Sequence, residues 1–201
     1  MLVNNKYLKY FSFILSFVFI LYVIYMIFTS YSIIKKQFID IGDLTYVNQV
    51  RTDDYTLRLA NHLSKDCNQD EICEVQKMLD FVTRIPYKVN KSVARNSKQV
   101  VTQNFGDCDD KSNLLISMLK MKGYEAYFVL VPKHIFVIIN MKENKINKKA
   151  LYVNDKPFYI LESTATNSKI GFGLKYKFEE IEAIIDPFKN KQLVVDTLEY
   201  K

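Results

Sequence analysis

The most abrupt feature of the hydropathy pattern is at the N-terminus. From Phe11 to Phe28 every residue is apolar, Tyr or Ser, with no charge, Gly or Pro. Continued through Tyr31 to Ile34, the run exceeds the roughly twenty residues that cross a bilayer core as a helix. Because it lacks a polar face, it does not read as a core helix of a soluble protein. A cleaved signal peptide is the rival, but its apolar stretch is usually about 7–15 residues long. Here the run is longer and Ser30-Tyr31-Ser32 is a poor cleavage site. Lys6 and Lys9 before it and Lys35 and Lys36 after it leave the charge rule for orientation nearly silent. The pattern predicts a short tail over 1–9, a transmembrane anchor over 10–34, a connector over 35–51 and one domain over 52–201.

Within that domain the period is first helical, then two. Thr52-Asp53-Asp54 signals a helix start, since acids in the first turn offset the positive end of the helix dipole. A second helix is expected after Asn68, with Glu71 reaching back as in a capping box, and apolar residues recur from Ile72 to Val82 until Ile85-Pro86 stops the run. Residues 87–105 read as a long ordered loop. A third, amphipathic helix runs from Cys108 to Lys122 and closes at Gly123, with Lys111, Asn113 and Ser117 expected away from its packed face. Tyr124–Val131, His134–Met141, Ala150–Val153 and Phe158–Glu162 then read as strands, with a polar loop over Lys142–Lys149 and a turn at Asn154-Asp155-Lys156-Pro157. A short helix near Phe178–Ala183 and a last strand near Gln192–Thr197 complete the reading. Helices first and strands afterwards imply an α+β domain rather than alternating βαβ units.

Composition narrows the function classes. The 28 Lys and Arg against 22 Asp and Glu leave a modest net charge of +6, spread along the chain. No zinc-finger spacing or RNA-binding signature accompanies it, so nucleic acid is not an expected partner. Three cysteines remain. Cys67 and Cys73 lie close together and pair most simply as a disulfide, which would place the domain outside the cytosol. Two reduced cysteines packed as small apolar residues are the alternative.

Cys108 is different. It opens a helix after Gly106-Asp107, where backbone N–H groups favour a thiolate, although Asp107, Asp109 and Asp110 oppose one. Those three acids lack the alternating oxygen pattern of a calcium loop, and read as a cap and first-turn acids, so no metal or cofactor is expected. His134 opens an apolar strand, while the only other histidine, His62, lies on an early helix with no cysteine motif. Phe158, Ile160 and Glu162 share a strand face, and a carboxylate beside apolar residues needs a partner.

Together these segments resemble the transglutaminase-like superfamily, in a membrane-anchored bacterial or archaeal form. Gly106-Asp107-Cys108-Asp109-Asp110-Lys111, the strand-initial His134, and Phe158-Tyr159-Ile160-Leu161-Glu162-Ser163-Thr164 carry the resemblance over about residues 70–165. It implies a papain-like core, with the Cys108 helix packed on an antiparallel sheet. It also implies Cys108 as nucleophile, His134 as general base and acid, and Glu162 as the acid that orients the imidazole. The family usually has Asp at the Glu162 position and Pro at the Ser163 position. Asp155 is the alternative acid, although a turn signal surrounds it. Gln103 is a candidate second oxyanion donor beside the Cys108 backbone N–H. The implied function is thiol-dependent acyl transfer on a protein or peptide substrate, by hydrolysis or cross-linking. The alternative is a catalytically idle domain of the same fold, acting as a membrane-tethered binding or scaffolding module.

Overall fold

The computed structural model describes residues 6–41, 45–90, 94–142 and 146–201, with the side chains of residues 34–36 excepted. Parts of the expected tail (1–5), connector (42–44) and loops (91–93 and 143–145) lie outside the described residues. Contacts divide the chain into two compact units, residues 1–38 and 39–201.

The first unit is helix α1 (Lys6–Gln37). Its Lys6–Ile33 stretch is long and apolar enough to cross a membrane, with a mean hydropathy of 2.5. At about 1.5 Å per residue it is longer than a hydrocarbon core is thick.

The second unit is α+β, the class expected from the order of periodicities. Short strands β1 (Phe38–Asp40) and β2 (Thr45–Val47) pair first. Asn48 then ties the chain down: its Nδ2 donates to the Pro187 carbonyl at 2.5 Å, and its Oδ1 accepts from Val50 N–H at 3.1 Å. Helix α2 (Asp54–Ser64) is capped by Asp53, whose side chain accepts from Thr56 N–H at 2.8 Å. Helix α3 (Glu71–Arg84) starts later than the expected cap at Asn68, because Asn68 and Gln69 both take left-handed φ angles of +50° and +63°. Asp70 caps it instead, accepting from Ile72 N–H at 3.0 Å. A Cys67–Cys73 disulfide, with Cα atoms 5.4 Å apart, clamps that turn onto the helix. The stretch read as loop contains helix α4 (Ser97–Gln103), held by a reciprocal capping box between Asn96 and Gln99.

Helix α5 (Cys108–Met121) ends at Gly123, whose φ of +85° allows Tyr124 N–H to reach back to the Leu119 carbonyl at 3.0 Å. It is not the amphipathic helix expected from its pattern. Every residue from Asp110 to Leu119 is buried, because α2, α3 and α4 pack around it and the sheet lies beneath. Its polar residues are therefore internal ligands: Lys111 Nζ donates to the Ile85 carbonyl at 2.9 Å, and Ser117 Oγ to the Asn113 carbonyl at 2.6 Å.

The remaining strands are β3 (Ala126–Val131), β4 (His134–Ile139), β5 (Leu151–Val153), β6 (Lys156–Leu161), β7 (Ala183–Asp186), β8 (Lys191–Gln192) and β9 (Leu198–Tyr200). They form one antiparallel sheet in the order β8-β7-β3-β4-β6-β5-β9. The expected last strand at 192–197 does not form there, since β8 ends at Gln192 and β9 begins at Leu198, and the short helix near 178 is a single 3₁₀ turn at Phe178–Glu180. Strand alternation splits the apolar residues between two cores. Ile135, Val137, Ile139, Tyr159 and Leu161 face the helices. Phe136, Ile138, Phe158 and Ile160 face the other way, under residues 172–176 and the C-terminal segment.

Candidate active site

The site begins where α5 meets the strand segment after Pro86. Gly106 N–H donates to the Pro86 carbonyl and Lys88 N–H to the Gly106 carbonyl, both at 3.1 Å. A Cβ at Gly106 would approach Asp110 Cβ to 2.9 Å, so a side chain there would displace the first turn of α5. Asp107 is the cap, accepting from Asp110 N–H at 3.2 Å through one oxygen and from Asn90 N–H at 2.9 Å through the other.

Asp110 is more than a first-turn acid. It is fully buried and grips Arg95, whose backbone N–H, Nε and Nη2 donate to its carboxylate at 2.7, 3.2 and 2.6 Å. The same guanidinium donates to the Phe105 carbonyl at 2.7 Å and lies 4.1 Å above the Phe105 ring. It also donates to Gln103 Oε1. Gln103 is therefore drawn into a brace around the loop before Cys108, and among the described residues no hydrogen bond joins it to Cys108. Sequence reasoning missed Arg95 because one arginine in a polar stretch carries no periodic signal.

His134 follows a two-residue turn, Pro132-Lys133, in which Lys133 takes a φ of +62°. The turn sets Val131 opposite His134 and so puts the imidazole at the end of the sheet. Its Nε2 lies 2.9 Å from Glu162 Oε2. The other Glu162 oxygen accepts from Thr164 N–H at 2.9 Å and from Thr164 Oγ1 at 2.5 Å. Burial works against the charged form of Glu162. The hydrogen bonds from His134 and Thr164 outweigh it and hold the carboxyl below its ordinary range. An ionised Glu162 makes Nε2 the protonated nitrogen and leaves Nδ1 as the basic one.

Cys108 meets this pair through the backbone next to His134. Strand β6 ends at Leu161, paired with Val137, so the next rung of β4 is left without a partner strand. Helix α5 fills it. The Ile135 backbone N–H favours the Cys108 thiolate. Ser112 Oγ, one turn along, donates to the Ile135 carbonyl at 3.3 Å. Ser112 Oγ is also 3.0 Å from Ser163 Oγ, both residues fully buried, which joins α5 to the residue after Glu162. Three elements that carry candidate groups are thus bolted together by two hydroxyls and one backbone unit.

The thiol itself is held protonated. Burial, then Asp109 and Asp107, push the Cys108 thiol up to about 12, against the favourable Ile135 and Asp109 amides. Asp109 Oδ1 is 3.8 Å from Sγ and takes the thiol's hydrogen bond. The expected benefit of a helix N-terminus is present but outweighed. Such a site can act without a preformed ion pair, if the imidazole removes the proton as the sulfur attacks.

The other candidates fall elsewhere. Asn154 and Asp155 have φ angles of +50° and +63° and form the two-residue hairpin between β5 and β6. His62 is exposed in the last turn of α2. Tyr176, which no motif flagged, stacks on His134 with ring centroids 6.2 Å apart and planes at 23°. Among the described residues no cluster of His, Cys, Asp and Glu could hold a metal ion.

No protein-family model matches this chain, and no curated protein does. Among solved structures it is similar to a presumed cysteine protease from Cytophaga hutchinsonii, with a TM-score of 0.44 and 16% identity. That match covers 67% of this chain and 43% of the other, so the chain spans less than half of that relative's length. It is also similar to LapG of Legionella pneumophila, with a TM-score of 0.42 and 10% identity over 60% of this chain and 77% of that one.

Proposed function

We propose that this protein is a membrane-anchored thiol acyl-transfer enzyme acting on a protein or peptide carboxamide, with its domain outside the cytosol. Cys108 is the nucleophile, His134 the base and then the acid, and Glu162 the group that orients the imidazole. The observation that carries the reading is the 2.9 Å bond between His134 Nε2 and Glu162, with the Cys108 helix tied to the neighbouring Ile135 and Ser163 through Ser112 Oγ. In the first step Sγ bonds to the acyl carbon, the bond from that carbon to the leaving amine breaks, and the thiol proton passes through His134 to the amine. Water then releases the acyl group; an amine in place of water would give cross-linking. The Cys108 backbone N–H is the first oxyanion donor. The apolar helix α1 and the Cys67–Cys73 disulfide support the location, since disulfides persist in oxidising compartments.

The test uses the full-length chain in detergent and a carbobenzoxy-glycine thioester. Mass spectrometry should find Cys108 acylated much faster than free cysteine, and His134→Ala should abolish the advantage. Acylation no faster than that of free cysteine, with His134→Ala making no difference, would leave the domain a binding module.

A further inference from the structure

Beside the imidazole lies a cavity of about 340 Å³. Its floor is the sheet face opposite α5, where His134 and Phe136 of β4, Ile160 of β6 and Glu162 just beyond that strand line one space. Its roof is the segment 172–176, and its walls include Phe172, Leu174 and Tyr176. Tyr176 lies parallel to Phe136, with planes at 9° and centroids 6.2 Å apart, so the aromatic wall continues to the stacked His134 ring. Cys108 does not line this space. The cavity therefore adjoins the proton donor rather than the nucleophile.

The walls are preformed. Gln76 pins the roof segment at one end, donating to the Ser168 carbonyl at 3.0 Å and accepting from Ile170 N–H at 3.2 Å. The Ile160 carbonyl accepts from Gly171 and Phe172 N–H at 3.1 Å, and Tyr200 Oη from Leu174 N–H at 3.2 Å. Two glycines in the roof differ. Gly171 needs to be glycine, with a φ of +75° and a Cβ that would come within 2.6 Å of Lys148 Cβ. Gly173 has no such reason. Its φ lies outside the left-handed region, and a Cβ there would meet nothing within 4 Å. Gly173 belongs to the cavity lining, and a side chain there has room.

We infer that this cavity is the leaving-group subsite, and that it takes one aromatic or branched apolar side chain next to the departing amine. The inference rests on the thiol-enzyme reading of the same site. Its chemistry follows from placement. When Sγ bonds to the acyl carbon, the bond to the leaving group breaks and the leaving group takes the proton from His134, so its substituent must sit on the imidazole's side. There it meets the apolar side chains of Phe136, Ile160, Phe172, Leu174 and Tyr176, with Glu162, Thr164 and Lys175 at the polar side of the same lining. A pocket of this size and lining suits an apolar group and gives a hydrated small one little. The preferred substrate is a peptide with a large apolar residue immediately after the scissile bond.

A series of carbobenzoxy-glycine thioesters isolates this side of the site, because only the departing thiol varies. Methyl, isobutyl and benzyl thioesters are compared on the full-length chain, each Cys108 acylation rate divided by that of free cysteine in the same detergent. The benzyl thioester should exceed the methyl by roughly tenfold or more, as expected for filling an apolar pocket. Gly173→Leu, which fills the cavity, should bring that ratio down to about one, and Tyr176→Ala, which removes a wall, should lower it several-fold. Equal normalised rates across the series would overturn the inference while leaving the thiol enzyme standing. So would a benzyl preference that survives undiminished in both variants. Failure of every thioester to acylate Cys108 faster than free cysteine would remove the enzyme reading, and the subsite with it.

Discussion

Glu162 and Cys108 are both shielded from water, and shielding disfavours the charged form of each, yet the outcomes are opposite. Around Glu162 the surroundings donate: His134 Nε2, Thr164 N–H and Thr164 Oγ1 all point at its oxygens, and the carboxyl stays ionised. Around Cys108 the hydrogen-bonded side chain accepts. Asp109 takes the thiol proton's hydrogen bond, Asp107 adds negative charge, and the thiol is pushed up to about 12. The base half of the site is preorganised and the nucleophile half is restrained. Catalytic readiness is therefore a property of each donor and acceptor around a group, not of burial or of a helix terminus alone.

The largest expected effect falls on the preorganised half. Glu162→Gln should lower thioester acylation of Cys108 by on the order of 10³-fold, since an amide holds the imidazole in the wrong protonation pattern. Glu162→Asp should stay within about tenfold of the parent if the backbone absorbs the shorter reach. Asp155→Asn should change nothing, because Asp155 belongs to a hairpin turn. A slow Asp155→Asn with an unimpaired Glu162→Gln would sink the assignment of the acid.

On the restrained half, Asp109→Asn should move the other way. With one carboxylate gone the thiolate forms at lower pH, and iodoacetamide alkylation of Cys108 near pH 7 should rise by about tenfold. Alkylation followed across pH in parent and variant reads the shift directly. An unmoved profile would mean that burial alone restrains the thiol.

The hydroxyl bolt between the halves should show a smaller, coupled effect. Ser112→Ala and Ser163→Ala should each slow acylation by about threefold, and the double variant should be no slower than either single. Multiplying losses would mean that the two serines act separately and that their 3.0 Å contact does not position the site.

Stability should respond least. A carboxyl depressed by its fold stabilises the native state above its ordinary value of 4.5, and that contribution disappears as pH falls through the lower folded value. Urea denaturation should therefore place Glu162→Gln below the parent at pH 7 by on the order of 1 kcal/mol, and bring the two together near pH 2. A gap that persists in acid would show that packing, rather than charge, carries the Glu162 contribution.

Much of this architecture was legible in one dimension. The apolar run of α1, the helix start at Asp53-Asp54, the Gly123 stop and the strands around Phe136 and Ile160 follow from local preferences and periodicity, which act within a few residues. The Gly106-Asp107-Cys108 turn and the strand-initial His134 were visible for the same reason. Helix α4 was missed although its Asn96-to-Gln99 capping box was written in the chain, because its single turn or two carries too little periodicity to register. Other features were decided only by packing. A polar pattern on α5 predicted a solvent face, but three helices and a sheet close around it, and Lys111, Asn113 and Ser117 are buried. The grip of Arg95 on Asp110, the seat of Ser112 on Ile135 and the stacking of Tyr176 on His134 join residues 15, 23 and 42 positions apart, by SEQ numbering. No local rule reports such pairings, because their energies exist only after the chain has brought the partners together. The restrained thiol is the sharpest case: helix position alone argued for a reactive cysteine, and the depth of its burial, which only the fold sets, reversed the sign.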